Sequence, residues 1–268
     1  MPRCRANVRF IDSHVHLSDY STAPGILGAA REARMGLFAC STDRPTSERT
    51  VSLAGDDPEL VSAFVGVHPS EAKKETATHW LPGLLGRASG VGEIGLDPKY
   101  SETRVGGQQM TLFRDQLAIA EAAGRPVQVH SRNAESSCLD ELQTHRLAAV
   151  LLHWFNGESE LARAEASGYF VSFGPALIES RKLQRMAAKY STDLIMVESD
   201  GPVSFAPLGG ADGPMIVPSV VFKLAGLRGV SFEKMAETTV RNASTYLSVL
   251  GKVKLPTYSG LGRKIGQD

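Results

Sequence analysis

Residues 8–17 read VRFIDSHVHL, a short apolar run that ends on two histidines one residue apart. An open, doubly wound α/β sheet would normally carry a Gly-rich phosphate turn after its first strand, and DSHVHL is not one. Working outward, seven further short β-rich runs follow: LFACST (37–42), VSAFVGV (61–67), GVGEIGL (90–96), RPVQVH (125–130), AAVLLHWF (148–155), YFVSFG (169–174) and DLIMVES (193–199). Most of the segments between them have helical spacing, for example GILGAAREARM (25–35), QMTLFRDQLAIAEAAG (109–124) and LIESRKLQRMAAKY (177–190). Eight alternating strand and helix units predict an α/β fold closed as a (β/α)8 TIM barrel. The 268 residues suit such a barrel, which is typically about 250 residues long, so one domain over 1–268 is expected.

After the eighth run, GPVSFAPLGGADGPMIVP (201–218) is dense in Gly and Pro and predicts a long loop. It leads to a helix, SFEKMAETTVRNASTYLSVLG, with Ser231 as N-cap and Gly251 beyond its end. The tail from Lys252 reads as a surface extension. No solenoid repeat, low-complexity tract or linker between two composition classes interrupts the chain.

Lys plus Arg number 29 and Asp plus Glu number 29, so the formal net charge is zero. No global field draws the protein onto nucleic acid or anionic lipid, and any phosphate recognition must be local. The longest apolar runs fall short of the roughly 18 residues of a membrane span, which predicts a soluble protein with no membrane partner. The N-terminal stretch MPRCRANVRFIDSH lacks the apolar region and cleavage site of a signal peptide, which favours the cytoplasm. Cys4, Cys40 and Cys138 are too scattered for a disulfide framework or a thiolate metal site.

TIM-barrel active sites lie at the C-terminal ends of the strands, so the residues that end each run carry the chemistry. His14 and His16 end the first, and strand alternation points both imidazoles the same way. Glu93 lies in the fourth, His130 ends the fifth, His153 is near the end of the sixth and Asp200 closes the eighth. Charges such as Glu93 inside VGEIG and Asp200 after LIMVE are costly to bury unless a cation compensates them. Six metal-compatible residues on five strands therefore predict a metal centre; the rival reading is a hydrogen-bonded polar plug without an ion. His68, in GVHP, is expected to line the pocket rather than to ligate. His79 and His145 fall within helical segments and are left out.

FIDSHVHL, VGVHP, VGEIGLD, VHSRNA, HWFNG and ESDGP resemble, in order, the successive motifs of TatD-like metal-dependent deoxyribonucleases. The resemblance spans residue 10 to about residue 247, with further similarity in Gln109 to Leu117 and in RNASTYL. It implies an amidohydrolase-type barrel with two divalent ions, one held by His14, His16, Glu93 and Asp200, the second by Glu93, His130 and His153. Glu93 would take the place of the carbamylated Lys of some related barrels. Several positions depart from the family pattern. Trp154 and Asn156 stand where a small residue and Ser or Thr are frequent, Gly201 where Ala or Ser is common, and Val203 and Ser204 follow a Pro that a Tyr often follows.

Two cations bridged by a carboxylate acidify a shared water and hold a phosphate oxygen. In that scheme Glu93 bridges and Asp200 is the general base or water-orienting carboxylate. Asp12, two residues before His14, is expected to share its face and accept a histidine N–H; Asp97 is expected to do likewise or to cap its loop. Arg44, Lys73, Lys99, Arg104, Arg132 and Arg181 follow strands and would ring the catalytic face; Arg132, two residues after His130, is the foremost substrate-binding candidate. Imidazole and carboxylate ligands lean toward a transition metal, with Mg, Mn and Zn all open. The expected substrate is DNA, as single strands or ends, with no obligate protein partner. Two alternatives remain: an amidohydrolase-like esterase, lactonase, amidase or aminoacyl-ester deacylase, and a non-catalytic metal-binding barrel.

Overall fold

The protein is described here by a computed structural model covering residues 9–75, 77–101, 107–203 and 213–249. Eight strands, β1 (Phe10–Val15), β2 (Met35–Ala39), β3 (Val61–Val65), β4 (Gly90–Gly95), β5 (Val127–His130), β6 (Val150–Leu152), β7 (Phe170–Phe173) and β8 (Ile195–Val197), form one parallel sheet in sequence order. The segment after β8 closes the ring onto β1. Asp200 N–H donates to the His14 carbonyl at 2.9 Å and His16 N–H to the Gly201 carbonyl at 2.8 Å. The Ser13 hydroxyl adds a bond to the Val197 carbonyl at 2.9 Å. The chain is a TIM barrel, as its strand and helix alternation predicts.

Nine α-helices lie among the described residues: α1 (Ala23–Glu32), α2 (Arg44–Asp56), α3 (Leu81–Leu85), α4 (Gln108–Ala122), α5 (Glu135–Leu142), α6 (Leu161–Ala166), α7 (Arg181–Lys189), α8 (Val217–Arg228) and α9 (Phe232–Ser248). Their starts follow local chemistry. The Asp43 carboxylate caps α2 by accepting the Thr46 N–H in a capping box, and the Ser180 and Ser231 hydroxyls cap α7 and α9. The expected 201–218 loop is shorter than read, because a 3-10 turn opens at Pro214 and α8 at Val217. Pro at the first helical positions fits its fixed φ and lacks the N–H that would go unbonded there, so Pro214 and Pro218 mark starts, not loop. Cys4, Arg104, Ser204, Gly251 and the tail from Lys252 lie outside the described residues. Cys40 and Cys138 are buried free thiols.

Two apolar layers result. Met35, Leu37, Val65, Val91, Val129, Leu152, Val171 and Val197 pack outward against the helices. Ile11, Phe38, Phe64, Leu151, Phe170 and Met196, drawn from six strands, meet one another together with Tyr246 of α9. Such a set can meet only inside the barrel. Tyr246 donates to the carbonyl of Val127, the first residue of β5, at 2.8 Å, so α9 closes the end where the strands begin. The opposite mouth is left for polar residues. No single helix among the described residues is long and apolar enough to cross a membrane.

Candidate metal centre

At that mouth the strands converge on Glu93, which is buried on β4. Its Oε2 lies 3.3 Å from His16 Nε2 and 3.7 Å from His14 Nε2. Its Oε1 lies 2.7 Å from His130 Nδ1 and 2.6 Å from His153 Nε2. Asp200 Oδ1 sits on the first side, 3.6 Å from His14 Nε2 and 3.4 Å from His16 Nε2. The six residues read as ligands from the sequence therefore meet at one place.

The side chains beneath aim these groups. Gln128 Oε1 lies 2.7 Å from His14 Nδ1 and also accepts the Cys40 thiol at 3.0 Å. His14 Nδ1 then donates to this amide oxygen, and Nε2 is the nitrogen that faces Glu93 and Asp200. Asp97 Oδ2 lies 2.8 Å from His130 Nε2 and 2.6 Å from Arg132, while its Oδ1 accepts the Lys99 N–H at 2.9 Å. Asp97 thus orients a histidine and caps its loop at once. Its own backbone is held by Gln109 of α4, which accepts the Asp97 N–H and donates to the Asp97 carbonyl, both at 3.0 Å.

Asp12 behaves differently from its expected role. Its carboxylate accepts the backbone N–H of His14, not a ring N–H, at 3.3 Å, and the Ser199 N–H and hydroxyl at 2.9 and 2.5 Å. The cause is a register irregularity in β1 between Asp12 and Val15, which breaks the strict alternation that would put Asp12 and His14 on one face. Asp12 stitches β1 to the end of β8, and burial, opposed by the Ser199 bonds, raises its pKa to about 7. The sequence reading passed over Gln128 and Glu198. Buried Glu198 accepts the Ser172 hydroxyl at 2.5 Å and the Trp154 N–H at 2.7 Å, and lies 3.8 Å from His153 Nδ1. The signal was present: Gln128 is two residues before His130, and Glu198 two before Asp200.

His68 Nε2 lies 3.6 Å from Glu93 Oε1, so it joins the group around that oxygen, and its Nδ1 lies 2.8 Å from the Ser70 hydroxyl. Burial pushes the His68 pKa down to about 3, against the attraction of Glu93. Burial works the same way on His16, but Asp200 and Glu93 overcome it and raise its pKa to about 10. Burial would raise Glu93, yet His68, His153 and His130 hold it well below the usual carboxylate range. Asp200 is likewise lowered despite burial, chiefly by His16. The carboxylates in turn raise the pKa values of His16, His130 and His153 against burial.

The geometry fits an ion better on one side than on the other. Four tetrahedral ligands with bonds of about 2.1 Å lie about 3.4 Å apart. The His14 and His16 nitrogens are 3.4 Å from each other and 3.3 to 3.7 Å from Glu93 Oε2 and Asp200 Oδ1. Around Glu93 Oε1 the separations of 2.6 and 2.7 Å are hydrogen-bond lengths, so those pairs must spread by about 0.7 to 0.8 Å to take a tetrahedral ion. Beside the centre opens a cavity of about 220 Å³, walled in part by Arg132, Glu135, Trp154, Asn156, Asp200 and Val203.

Residues 11–248 match the family model described as TatD related DNase. The chain belongs to this family. It is 27% identical to the human deoxyribonuclease TATDN3 over 259 residues, covering 89% of this chain and 94% of that one. It is 28% identical to the 3'-5' ssDNA/RNA exonuclease TatD of Erwinia tasmaniensis over 242 residues, covering 81% and 90%. The crystal structure of YJJV, a TatD homologue from Escherichia coli K12, superposes with a TM-score of 0.79 at 25% identity, covering 89% of this chain and 98% of that one. As a TatD-family protein, the chain is a metal-dependent hydrolase acting on ester bonds.

Proposed function

We propose that this chain hydrolyses phosphodiester bonds of DNA, at single strands or ends, with two divalent ions held by His14, His16, Glu93 and Asp200 and by Glu93, His130 and His153. The observation that carries the reading is Glu93, whose two carboxylate oxygens face two separate sets of ligand atoms. The names of the human and Erwinia relatives, a deoxyribonuclease and a single-strand exonuclease, support the substrate.

When bound, divalent ions supply Lewis acidity toward a phosphoryl oxygen and toward the attacking water. Asp200, held in its anionic form by His16 and its neighbours, accepts the proton of that water at a carboxylate oxygen. The water oxygen bonds to phosphorus as the P–O bond to the leaving sugar breaks, and the sugar oxygen takes a proton from solvent, giving a phosphomonoester and an alcohol. Asp97 fixes both His130 and Arg132, and the Arg132 guanidinium, partly exposed at the cavity wall, takes phosphate oxygens. His68 stands on the Oε1 side of Glu93, with its Nε2 3.6 Å from that oxygen and its ring centre 4.6 Å from that of His130.

The test is hydrolysis of 5'-labelled single-stranded DNA by chelator-stripped protein reloaded with Mg, Mn or Zn, with Glu93→Ala as control. Products shortened from the 3' end, absent under chelation and in the variant, are expected. Absence of product with every ion, or product that persists in Glu93→Ala, overturns the reading.

A further inference from the structure

The cavity beside the centre is walled on its apolar sides by Trp154 and Val203, and on its polar sides by Arg132, Glu135 and Asn156. Its volume of about 220 Å³ lies below the roughly 300–1,000 Å³ of sites for drug-sized ligands, which suits one ring system rather than a large molecule. The same cavity reaches His130, His153 and Asp200, so whatever fills it is adjacent to the hydrolytic centre. Trp154, Asn156 and Val203, three of the five positions at which this chain departs from the resemblance, all line it.

Trp154 is held there under constraint. Its φ is +40°, a region that side chains bulkier than Gly rarely adopt, and such outliers persist where the surroundings over-determine them. Two contacts do so. Its backbone N–H donates to the buried Glu198 carboxylate at 2.7 Å. Its ring packs beside Gly174, where an added Cβ would sit 3.4 Å from Trp154 Cε3. A large indole is therefore held at the wall of a cavity that also offers a cation, a carboxylate and an amide.

We propose that this cavity is a nucleobase pocket in which the terminal base of a single-stranded substrate stacks on Trp154. This inference rests on the nuclease reading. Every base offers a π-face, so stacking tolerates sequence, while Glu135 and Asn156 present an acceptor and a donor–acceptor pair to the base edge. A base seated on Trp154 leaves its phosphate toward Arg132 and Asp200. Scission then falls next to the terminal nucleotide, and the pocket measures the substrate from its end.

Two measurements test this on the full-length, metal-reconstituted protein. The chain has two tryptophans, so Trp80→Phe leaves Trp154 as the sole indole emitter. Titration with deoxyadenosine monophosphate is expected to quench that emission to saturation, and titration with deoxyribose 5-phosphate to leave it unchanged. Oligonucleotides with a 3'-terminal adenine are expected to be cleaved with kcat/KM roughly 5- to 100-fold above those ending in an abasic tetrahydrofuran residue. Trp154→Ala should bring that ratio to about one, and Trp154→Phe should restore most of it. Cleavage without base discrimination, or equal quenching by the two probes, overturns the pocket while the nuclease reading stands. Failure of all cleavage removes the nuclease reading, and the quenching comparison then decides for or against the pocket by itself.

Discussion

The side-chain oxygen of Gln128 lies 2.7 Å from Nδ1 of His14. That contact makes Nδ1 the donor and turns Nε2 toward Glu93 and Asp200, and burial of both residues keeps water from competing for it. Partners of this kind typically alter metal affinity by 10- to 100-fold. Gln128→Leu should weaken ion binding by about that factor, read by competition with a chromophoric chelator, with the barrel still folded by far-UV circular dichroism. Unchanged affinity would show that His14 is oriented by other means.

Ion loading should stabilise the protein, and more so as pH rises. At a free-ion concentration of 100 times Kd, binding contributes about 2.7 kcal/mol, or about 5–10 °C in Tm for a chain of this length. In stripped protein the His16 pKa is raised to about 10 from an ordinary 6.5 by Asp200 and Glu93, against burial. The stability from that protonated histidine is fully present below about pH 6.5 and is lost as pH rises through about 10. An ion must displace this proton, so the Tm gain on loading should grow between pH 6.5 and 9, and ion uptake should release protons into a weak buffer. A gain that shrinks with pH would contradict this.

Gly95 sits at φ +141°, and a Cβ there would lie 2.0 Å from the His130 carbonyl oxygen. Backbone meets backbone at that point, so no side chain can swing away. Gly95→Ala should cost about 3 kcal/mol or more, lower the urea midpoint, and weaken metal binding because His130 is displaced. A variant with wild-type stability would mean that β4 and β5 can separate freely.

Arg132 is anchored by Asp97 at 2.6 Å, with its guanidinium 5.6 Å from the Tyr100 ring centre. If it takes a substrate phosphate, Arg132→Ala should raise KM for oligonucleotides several-fold and reduce the dependence of log K on log salt by about one contact. An unchanged salt slope would assign Arg132 to orienting Asp97 alone.

How much was legible beforehand varies residue by residue. His14, His16, Glu93, His130, His153 and Asp200 were readable because each ends or interrupts a short apolar run, and a barrel sends all such ends to one face. The Ser231 cap of α9 and the Pro-led start of α8 are equally local, though Pro214 and Pro218 read as loop until their place at the first turns was seen. The role of Asp12 was not readable, because alternation carries His14 and Asp12 together only while β1 is regular, and it is irregular between Asp12 and Val15.

The sequence by itself determined the period-two strands, the order in which they pair and the chemical types at their ends, since these follow from local patterning and from the connections that parallel strands require. Tertiary structure alone decided which oxygen of Glu93 faces which histidines, that Gln128 and Glu198 stand behind the ligand rings, and that Trp154, Asn156 and Val203 line one cavity. Those relationships join residues tens of positions apart at distances of a few ångströms. They depend on strand irregularities and ring closure, which no local pattern encodes.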